Sequence, residues 1–408
     1  MACITDTGMH EECGVFAISS SRMDVAKLAY LGLFALQHRG QEGCGLAAWN
    51  KGKINFHKKL GLVNDVFNEE ILSQLTGSIA IGHTRYATQG ETSELNTQPI
   101  VANYYQGQFA LAHNGNLTNT QALREELAKT GSLFQTTTDT EVLCNLLARY
   151  AEKSLDVALQ EAMKILKGSY ALVAIANGKL YAARDPFGNR PLCIGELQDH
   201  SGFVVASESC SLDTVGANFV RDVEPGEVII IDEDGVHTAS VNSASRTAHC
   251  IFEYVYFARP DSTIDGVNVN QSRRRMGAIL ARETGDIGCD IVIPVPDSGT
   301  TAAIGYAEAS GKPFTQGILK NRYTSRTFIQ PTQAMRERMV NLKLSPIREE
   351  IEGKKVAVVD DSIVRGTTSK RLVALLRERG SAEVHMLITC PPVIWPCYYG
   401  FDTAERDK

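Results

Sequence analysis

The chain has 408 residues, too many for one ordinary hydrophobic core, so two domains are expected. With 43% hydrophobic and 22% charged residues it has a globular rather than a disordered composition. A net charge of -6 and a pI near 5.9 speak against nucleic acid as the main partner, because nucleic-acid binders carry a basic excess.

In chain order, Met1–Glu12 is a short polar leader without the apolar stretch of a secretory signal. From there to about residue 245, short strands alternate with Gly, Asn and Asp turns. They are Gly14–Ile18, Ser78–Ile81, Gln108–Ala112, Tyr170–Ala174, Phe203–Ala206 and Glu227–Ile231. Helical patterns cover Asp24–Gln37, Thr120–Thr130 and Thr140–Leu147, the last with Asp139 as its N-cap. Strands and helices in separate runs predict a layered α+β domain with helices covering a sheet. The polar stretch Asn242–Ala248 is the expected join.

Beyond it the period changes. Asp290–Val295 and Lys355–Val359 are apolar runs, each followed by a polar loop and a helical pattern; Ser369–Arg379 is such a helix, stopping at Gly380. That order predicts an α/β domain on a parallel sheet, with ligands beyond the C-terminal strand tips. No apolar run approaches the roughly 20 residues of a membrane span, so no membrane contact and a cytoplasmic protein are expected. Ten cysteines scattered singly through so long a chain predict reduced, mostly buried thiols.

The most specific segment runs from Val358 to Ser369 and reads Val-Val-Asp-Asp-Ser-Ile-Val-Arg-Gly-Thr-Thr-Ser. A strand delivers Asp360 and Asp361 to its tip, a glycine and hydroxyl loop follows, and a helix begins. Loop N–H groups, hydroxyls and a helix N-terminus suit a phosphate; the carboxylates suit hydrogen bonds from hydroxyls, or Mg2+. An Asp-Asp pair alone closes many ordinary strand–helix units. The whole run, however, resembles the phosphoribosyl pyrophosphate fingerprint of the type I phosphoribosyltransferases. The resemblance implies that Asp360 and Asp361 face the ribose and help hold magnesium, while Gly366, Thr367, Thr368 and Ser369 cradle the 5′-phosphate. Val295-Pro296-Asp297-Ser298-Gly299-Thr300 resembles the family's pyrophosphate loop, with Ser298 at a magnesium-contacting position. Lys320, Arg322 and Arg326 fall in a segment similar to the family's flexible loop, where cations offset charge on departing pyrophosphate and closure excludes water.

Four segments of the first half carry a second chemistry. Cys13 stands directly before a strand; Gly82-His83-Thr84-Arg85 supplies an arginine. Ala112-His113-Asn114-Gly115 supplies an amide and backbone N–H groups in a tight turn, and Asp139 supplies a carboxylate at a helix start. Singly these are a packing cysteine, a surface arginine, a turn former and a helix cap. In this order they resemble the N-terminal-nucleophile class II glutamine amidotransferases, which implies a layered αββα fold. Hydrolysing an amide calls for a thiolate, a base and donors for an oxyanion. The resemblance implies that Met1–Glu12 is a propeptide, so that Cys13 becomes the first residue and its own α-amino group the base, with Asn114 and Gly115 as the oxyanion hole. Arg85 would grip the glutamine carboxylate and Asp139 its ammonium. Arg184 through Leu192 is a further match, expected to support the sheet.

The fusion resembles the glutamine phosphoribosylpyrophosphate amidotransferase family over nearly all of residues 13–408. Expected boundaries are a propeptide at 1–12, a glutaminase domain at 13–245 and a phosphoribosyltransferase domain at 246–408, truncated at its C-terminal end. The implied reaction takes glutamine, phosphoribosyl pyrophosphate and water to phosphoribosylamine, glutamate and pyrophosphate, the step that opens purine synthesis. A homo-oligomer, tetramer or dimer, inhibited by purine nucleotides is implied too. Cys250 and Cys397 match two of the four thiolates of a 4Fe–4S cluster, and no later Cys-x-x-Cys supplies the others. Two rivals are a ligand sensor that has lost catalysis and a glutaminase with an idle second half.

Overall fold

The computed structural model describes residues 13–86, 93–150, 152, 154–321, 344–363 and 366–400. The leader Met1–Glu12 and the loop residues Arg322 and Arg326 lie outside them.

Period-two alternation builds the first half. Along the strand Gly14–Ser20, Val15 and Ala17 enter an inner core with Ala110, Ala112, Ala171 and Val173, which come from a second sheet. Phe16 and Ile18 take the opposite face, packed with Val25, Ala29 and Leu33 of the helix Val25–Ala35. The second sheet does the same: Phe109 and Leu111 of the strand Gly107–Leu117 lie with Val142, Leu143 and Leu146 of the helix Asp139–Tyr150. The result is helix, sheet, sheet, helix, with a seven-stranded and a six-stranded antiparallel sheet face to face. Pattern reading alone foresaw helices on one sheet; the αββα layering implied by the family resemblance is the arrangement observed. In the seven-stranded sheet Gly14–Ser20 pairs with Gly202–Ala206 on one side and with Ile79–Arg85 on the other, which in turn pairs with Gly43–Asn50.

Two local expectations change. Asn114-Gly115 does not turn but stays inside Gly107–Leu117, opposite Ala171 and Tyr170. Gly115 permits this with φ +137, and a Cβ there would come within 2.2 Å of the Ser169 carbonyl oxygen. Asn-Gly reads as a hairpin only when no neighbouring strand continues past it. Asp139 is the first residue of its helix rather than the cap before it, and its carboxylate turns elsewhere.

In the second half, Ile291–Pro294, Lys355–Asp360 and Glu383–Ile388 form a parallel sheet in that spatial order. Val292, Ala357 and Val359 pack with the helices Val269–Thr284 and Thr300–Ser310; Ile291, Ile293, Val356 and Val358 pack with Leu372 and Leu376 of the helix Thr367–Glu378. That helix opens at Thr367, two residues before the sequence expectation. Residues 242–250 hold neither helix nor strand. Among the described residues, no helix is long and apolar enough to cross a membrane.

Val269–Thr284 and Thr300–Ser310 meet through glycine: a Cβ on Gly277 would sit 1.9 Å from the Ala302 carbonyl oxygen, and one on Gly305 2.0 Å from that of Arg274. Gly277→Ala should gain roughly 1 kcal/mol of helix propensity yet lose more by forcing backbone apart. We expect a net loss of about 1–3 kcal/mol of stability, read as a lower urea midpoint. A net gain would show that the two helices separate freely.

Candidate functional site

Register brings the first group of residues together. Gly14 lies opposite Thr84, so Cys13 stands beside Arg85 and Tyr86 at the end of the adjacent strand. The Cys13 thiol is buried and exchanges hydrogen bonds with the Tyr86 backbone, donating to its carbonyl and accepting from its N–H, each at 3.4 Å. Arg85 and Asp139 are close enough for their charges to act on the thiol, one favouring and one opposing the thiolate. Burial dominates and pushes the Cys13 thiol up to about 11, so at neutral pH it is protonated. Burial also lowers the pKa of Arg85, against the pull of Cys13, Glu42 and Asp139.

The second sheet contributes across the inner core. His83, two residues before Arg85, lies with Nε2 3.1 Å from the His113 carbonyl oxygen. The next residue, Asn114, is fully buried, and among the described residues neither its Oδ1 nor its Nδ2 has a hydrogen-bond partner. A buried amide left unsatisfied on both atoms is costly and points to a ligand as its complement. Asp139 accepts from the Leu117 N–H at 3.0 Å and lies 3.5 Å from His113 Nδ1. Burial pushes its carboxyl up, but His113 and the Leu117 N–H outweigh that and hold it below the ordinary range. Cys13, Arg85 and Asp139 thus converge, with Asn114 and Gly115 on the strand that leads to Leu117. Sequence reasoning missed two contributors, Tyr86 and Arg39. The Arg39 guanidinium is buried and donates from Nε to the Cys13 carbonyl at 3.2 Å. An arginine in a polar segment gives no signal that it will be buried.

The second group sits at two neighbouring strand tips. Pro294 pairs beside Val359, so residues 295–299 and 361–363 leave the sheet at the same edge. The Val295 N–H donates to the Val359 carbonyl at 2.9 Å, and Gly299 lies so close that a Cβ would be 2.5 Å from that same oxygen. Ser298 hydrogen-bonds Asp361, and Ser362 Oγ does so as well. The third strand anchors the pair from behind: Thr389 N–H donates to the Asp360 carbonyl at 3.1 Å and Cys390 N–H to that of Asp361 at 2.8 Å. Burial, then repulsion by Asp361, raises Asp360 well above the carboxylate range. Burial raises Asp361 too, against the hydroxyls of Ser298 and Ser362 and the nearby Arg273. Two buried carboxyls that repel one another fit a cation between or beside them. Gly366 adopts φ +71 as the cap of the helix Thr367–Glu378, whose first N–H groups have no partner within the helix. Lys320, ending the strand Ile318–Lys320, pairs with Asp297 at 2.7 Å.

Cys397 is near enough for its charge to act on the Cys250 thiol. Among the described residues, no group of three or more His, Cys, Asp or Glu is arranged to hold a metal, so the four thiolates of a cluster are not assembled there. The segment around Cys397 docks on the first half instead: Asn116 Nδ2 donates to the Tyr398 carbonyl at 2.8 Å, and Ser169 Oγ to that of Tyr399 at 2.6 Å.

Comparison with known proteins follows the same division. A family model described as a glutamine amidotransferase domain matches residues 83–214, and one described as a phosphoribosyl transferase domain matches residues 270–392. The amidophosphoribosyltransferase of Bacillus subtilis is 47% identical over 402 residues, covering 98% of this chain and 84% of its own length. That of Methanocaldococcus jannaschii is 48% identical over 414 residues, covering 97% and 87%. Among solved structures, the glutamine phosphoribosylpyrophosphate amidotransferase of B. subtilis complexed with ADP and GMP superposes with a TM-score of 0.90 at 47% identity, over 96% of this chain and 85% of that one.

The acid pair yields a pH test. The fold disfavours the Asp360 anion, so its cost to stability is absent below the ordinary range near about pH 4 and grows as pH rises toward the raised folded value. In metal-free protein, Asp360→Asn should raise the urea midpoint more at about pH 8 than at about pH 5. An equal shift at both would rule the repulsion out.

Proposed function

This chain belongs to the amidophosphoribosyltransferase family, and from that premise we propose how its own residues carry the reaction. The enzyme joins the amide nitrogen of glutamine to phosphoribosyl pyrophosphate in purine biosynthesis. Residues 13–245 are taken as the glutaminase and residues 246–408 as the phosphoribosyltransferase. The observation that carries the assignment of roles is the convergence of Cys13, Arg85 and Asp139 near a buried Asn114 amide without a partner.

Glutamine binds with its α-carboxylate on Arg85 and its ammonium on Asp139. The Cys13 sulfur attacks the side-chain carbonyl carbon. Its thiol is held protonated by burial, so a base must remove that proton. Removal of Met1–Glu12 frees the Cys13 α-amino group, whose pKa of about 7.7–8.0 suits the task. Negative charge on the carbonyl oxygen meets the Asn114 amide and the Gly115 N–H, donors that need not reorganise. Collapse expels ammonia, with the base returning the proton; water then cleaves the thioester and releases glutamate.

In the second half, the ribose hydroxyls meet Asp360 and Asp361. The 5′-phosphate sits on Gly366, Thr367, Thr368 and Ser369, where a helix N-terminus favours anions. Ammonia forms the bond to the anomeric carbon as pyrophosphate leaves. Asp297, Ser298 and Lys320 are assigned to the pyrophosphate, and so, by the family resemblance alone, are Arg322 and Arg326, which lie outside the described residues. Asp360, Asp361 and Ser298 would hold Mg2+, which neutralises charge on the pyrophosphate when bound. No step is routed through an iron–sulfur cluster: Cys250 and Cys397 supply two thiolates of the four, and among the described residues no group of three or more His, Cys, Asp or Glu is arranged to hold a metal. The nine described cysteines are all free, which supports a reducing, cytoplasmic setting, and we propose a homo-oligomer open to purine nucleotides.

Separate assays test the division of labour. Cys13→Ala should abolish glutamine-dependent release of pyrophosphate and leave release with ammonium salts intact. Asp360→Ala together with Asp361→Ala should remove both. Loss of both activities in a folded Cys13 variant would overturn the two-site assignment. N-terminal sequencing checks the leader: active enzyme that still begins at Met1 is incompatible with the α-amino base.

A further inference from the structure

We propose that Arg39 and Glu253 are positioning residues for the Cys13 nucleophile, so that a carboxylate from beyond the glutaminase half sets where the thiol stands. This inference rests on the reading of Cys13 as nucleophile and extends it to residues that touch no substrate.

Arg39 belongs to the short turn Gln37–Arg39, after the helix Val25–Ala35. Its Nε donates to the Cys13 carbonyl at 3.2 Å. Its stem lies against the next residue, since a Cβ on Gly14 would meet Arg39 Cδ at 3.3 Å. Gly40 is pressed onto the Arg85 backbone, where a Cβ would lie 2.6 Å from its carbonyl carbon, and the Glu42 N–H donates to the Arg85 carbonyl at 3.1 Å. One turn therefore braces both the attacking residue and the arginine proposed to grip glutamine.

The guanidinium itself is aimed by carboxylates. Glu253 takes it in a fork, Nη1 to Oε2 at 3.0 Å and Nη2 to Oε1 at 2.6 Å, while Nη1 also reaches Glu208. A two-point pair of this kind fixes the plane of the guanidinium, which a single contact would not. All three side chains are about 1% exposed, so water cannot substitute for a lost partner. Glu253 lies in the turn Glu253–Phe257, on the far side of the irregular stretch 242–250. The Tyr254 and Ala258 carbonyls of the same turn each accept from Arg273 at 2.8 Å, and the Arg273 charge acts on Asp361. The residues that hold the nucleophile are thus packed directly onto the support of the phosphoribosyl acid pair.

Glu253→Gln keeps the side chain's length but removes its charge and replaces one of the fork's two acceptors with an N–H donor. In the full enzyme we expect glutamine-dependent kcat to fall on the order of tenfold to a hundredfold, the size associated with a misplaced reacting group. KM for glutamine and ammonia-dependent kcat should change little. Glu253→Asp should recover part of the loss, which a purely structural defect would not. If the Gln variant fails to fold, the Asp variant carries the same expectation of a selective fall in glutamine-dependent kcat. Parallel loss of glutamine and ammonia activities, or no loss of either, overturns the inference. Cys13→Ala separates the two readings: if it still uses glutamine, the nucleophile assignment fails; if it is inactive while Glu253→Gln matches the parent, only the positioning role fails.

Discussion

Four ionised side chains sealed from water, Arg39, Arg190, Glu208 and Glu253, hold the molecule's two chemistries in one frame. Burial alone would disfavour charge on Arg39 and Glu208. Instead Glu253 and Glu208 keep the Arg39 guanidinium above its ordinary range, and His38 and Arg39 keep the Glu208 carboxylate well below its own. Glu208 also accepts from the Arg259 N–H at 2.9 Å and from Ser262 Oγ at 2.6 Å, so it reaches the segment that follows the join. A closed set of this kind adds little net stability over apolar packing, but losing one member costs about 3–5 kcal/mol because an uncompensated charge is left behind. Such a cluster defines geometry more than it lowers energy.

The two sites solve the same mechanical problem in different ways. In the first half, strands from two stacked sheets pack across an inner core of alanine, valine, isoleucine and leucine, and Cys13 and Arg85 stand side by side at the ends of adjacent strands. In the second half, parallel strands end together, so their loops must emerge on a common edge, and Ser298 reaches Asp361 as a consequence.

Electrostatics separates the sites further. Dry surroundings hold the Cys13 thiol protonated, while the Asp360 and Asp361 carboxyls repel each other. The buried Asn114 amide, without a partner among the described residues, adds a further unmet polar demand.

Much of this was legible in the chain itself. The run from Val358 to Ser369 reads as a strand with an acid pair at its tip, then a loop and a helix, and the strand Lys355–Asp360 and helix Thr367–Glu378 fall in that order. The period change after residue 242 announces a parallel sheet, and single, scattered cysteines announce free thiols. Local patterns carry such facts because they depend only on neighbours in sequence. Other facts needed the fold. Asn114-Gly115 reads as a turn until the strand Gly168–Ala176 is seen to run alongside it. Asp139 reads as a cap until Leu117 and His113 claim its carboxylate. Arg39 and Glu253 lie more than two hundred positions apart, and no local signal links two charges that become partners only when both are buried. Pairing at that range is decided by packing, since only packing removes the water that would otherwise satisfy each of them alone.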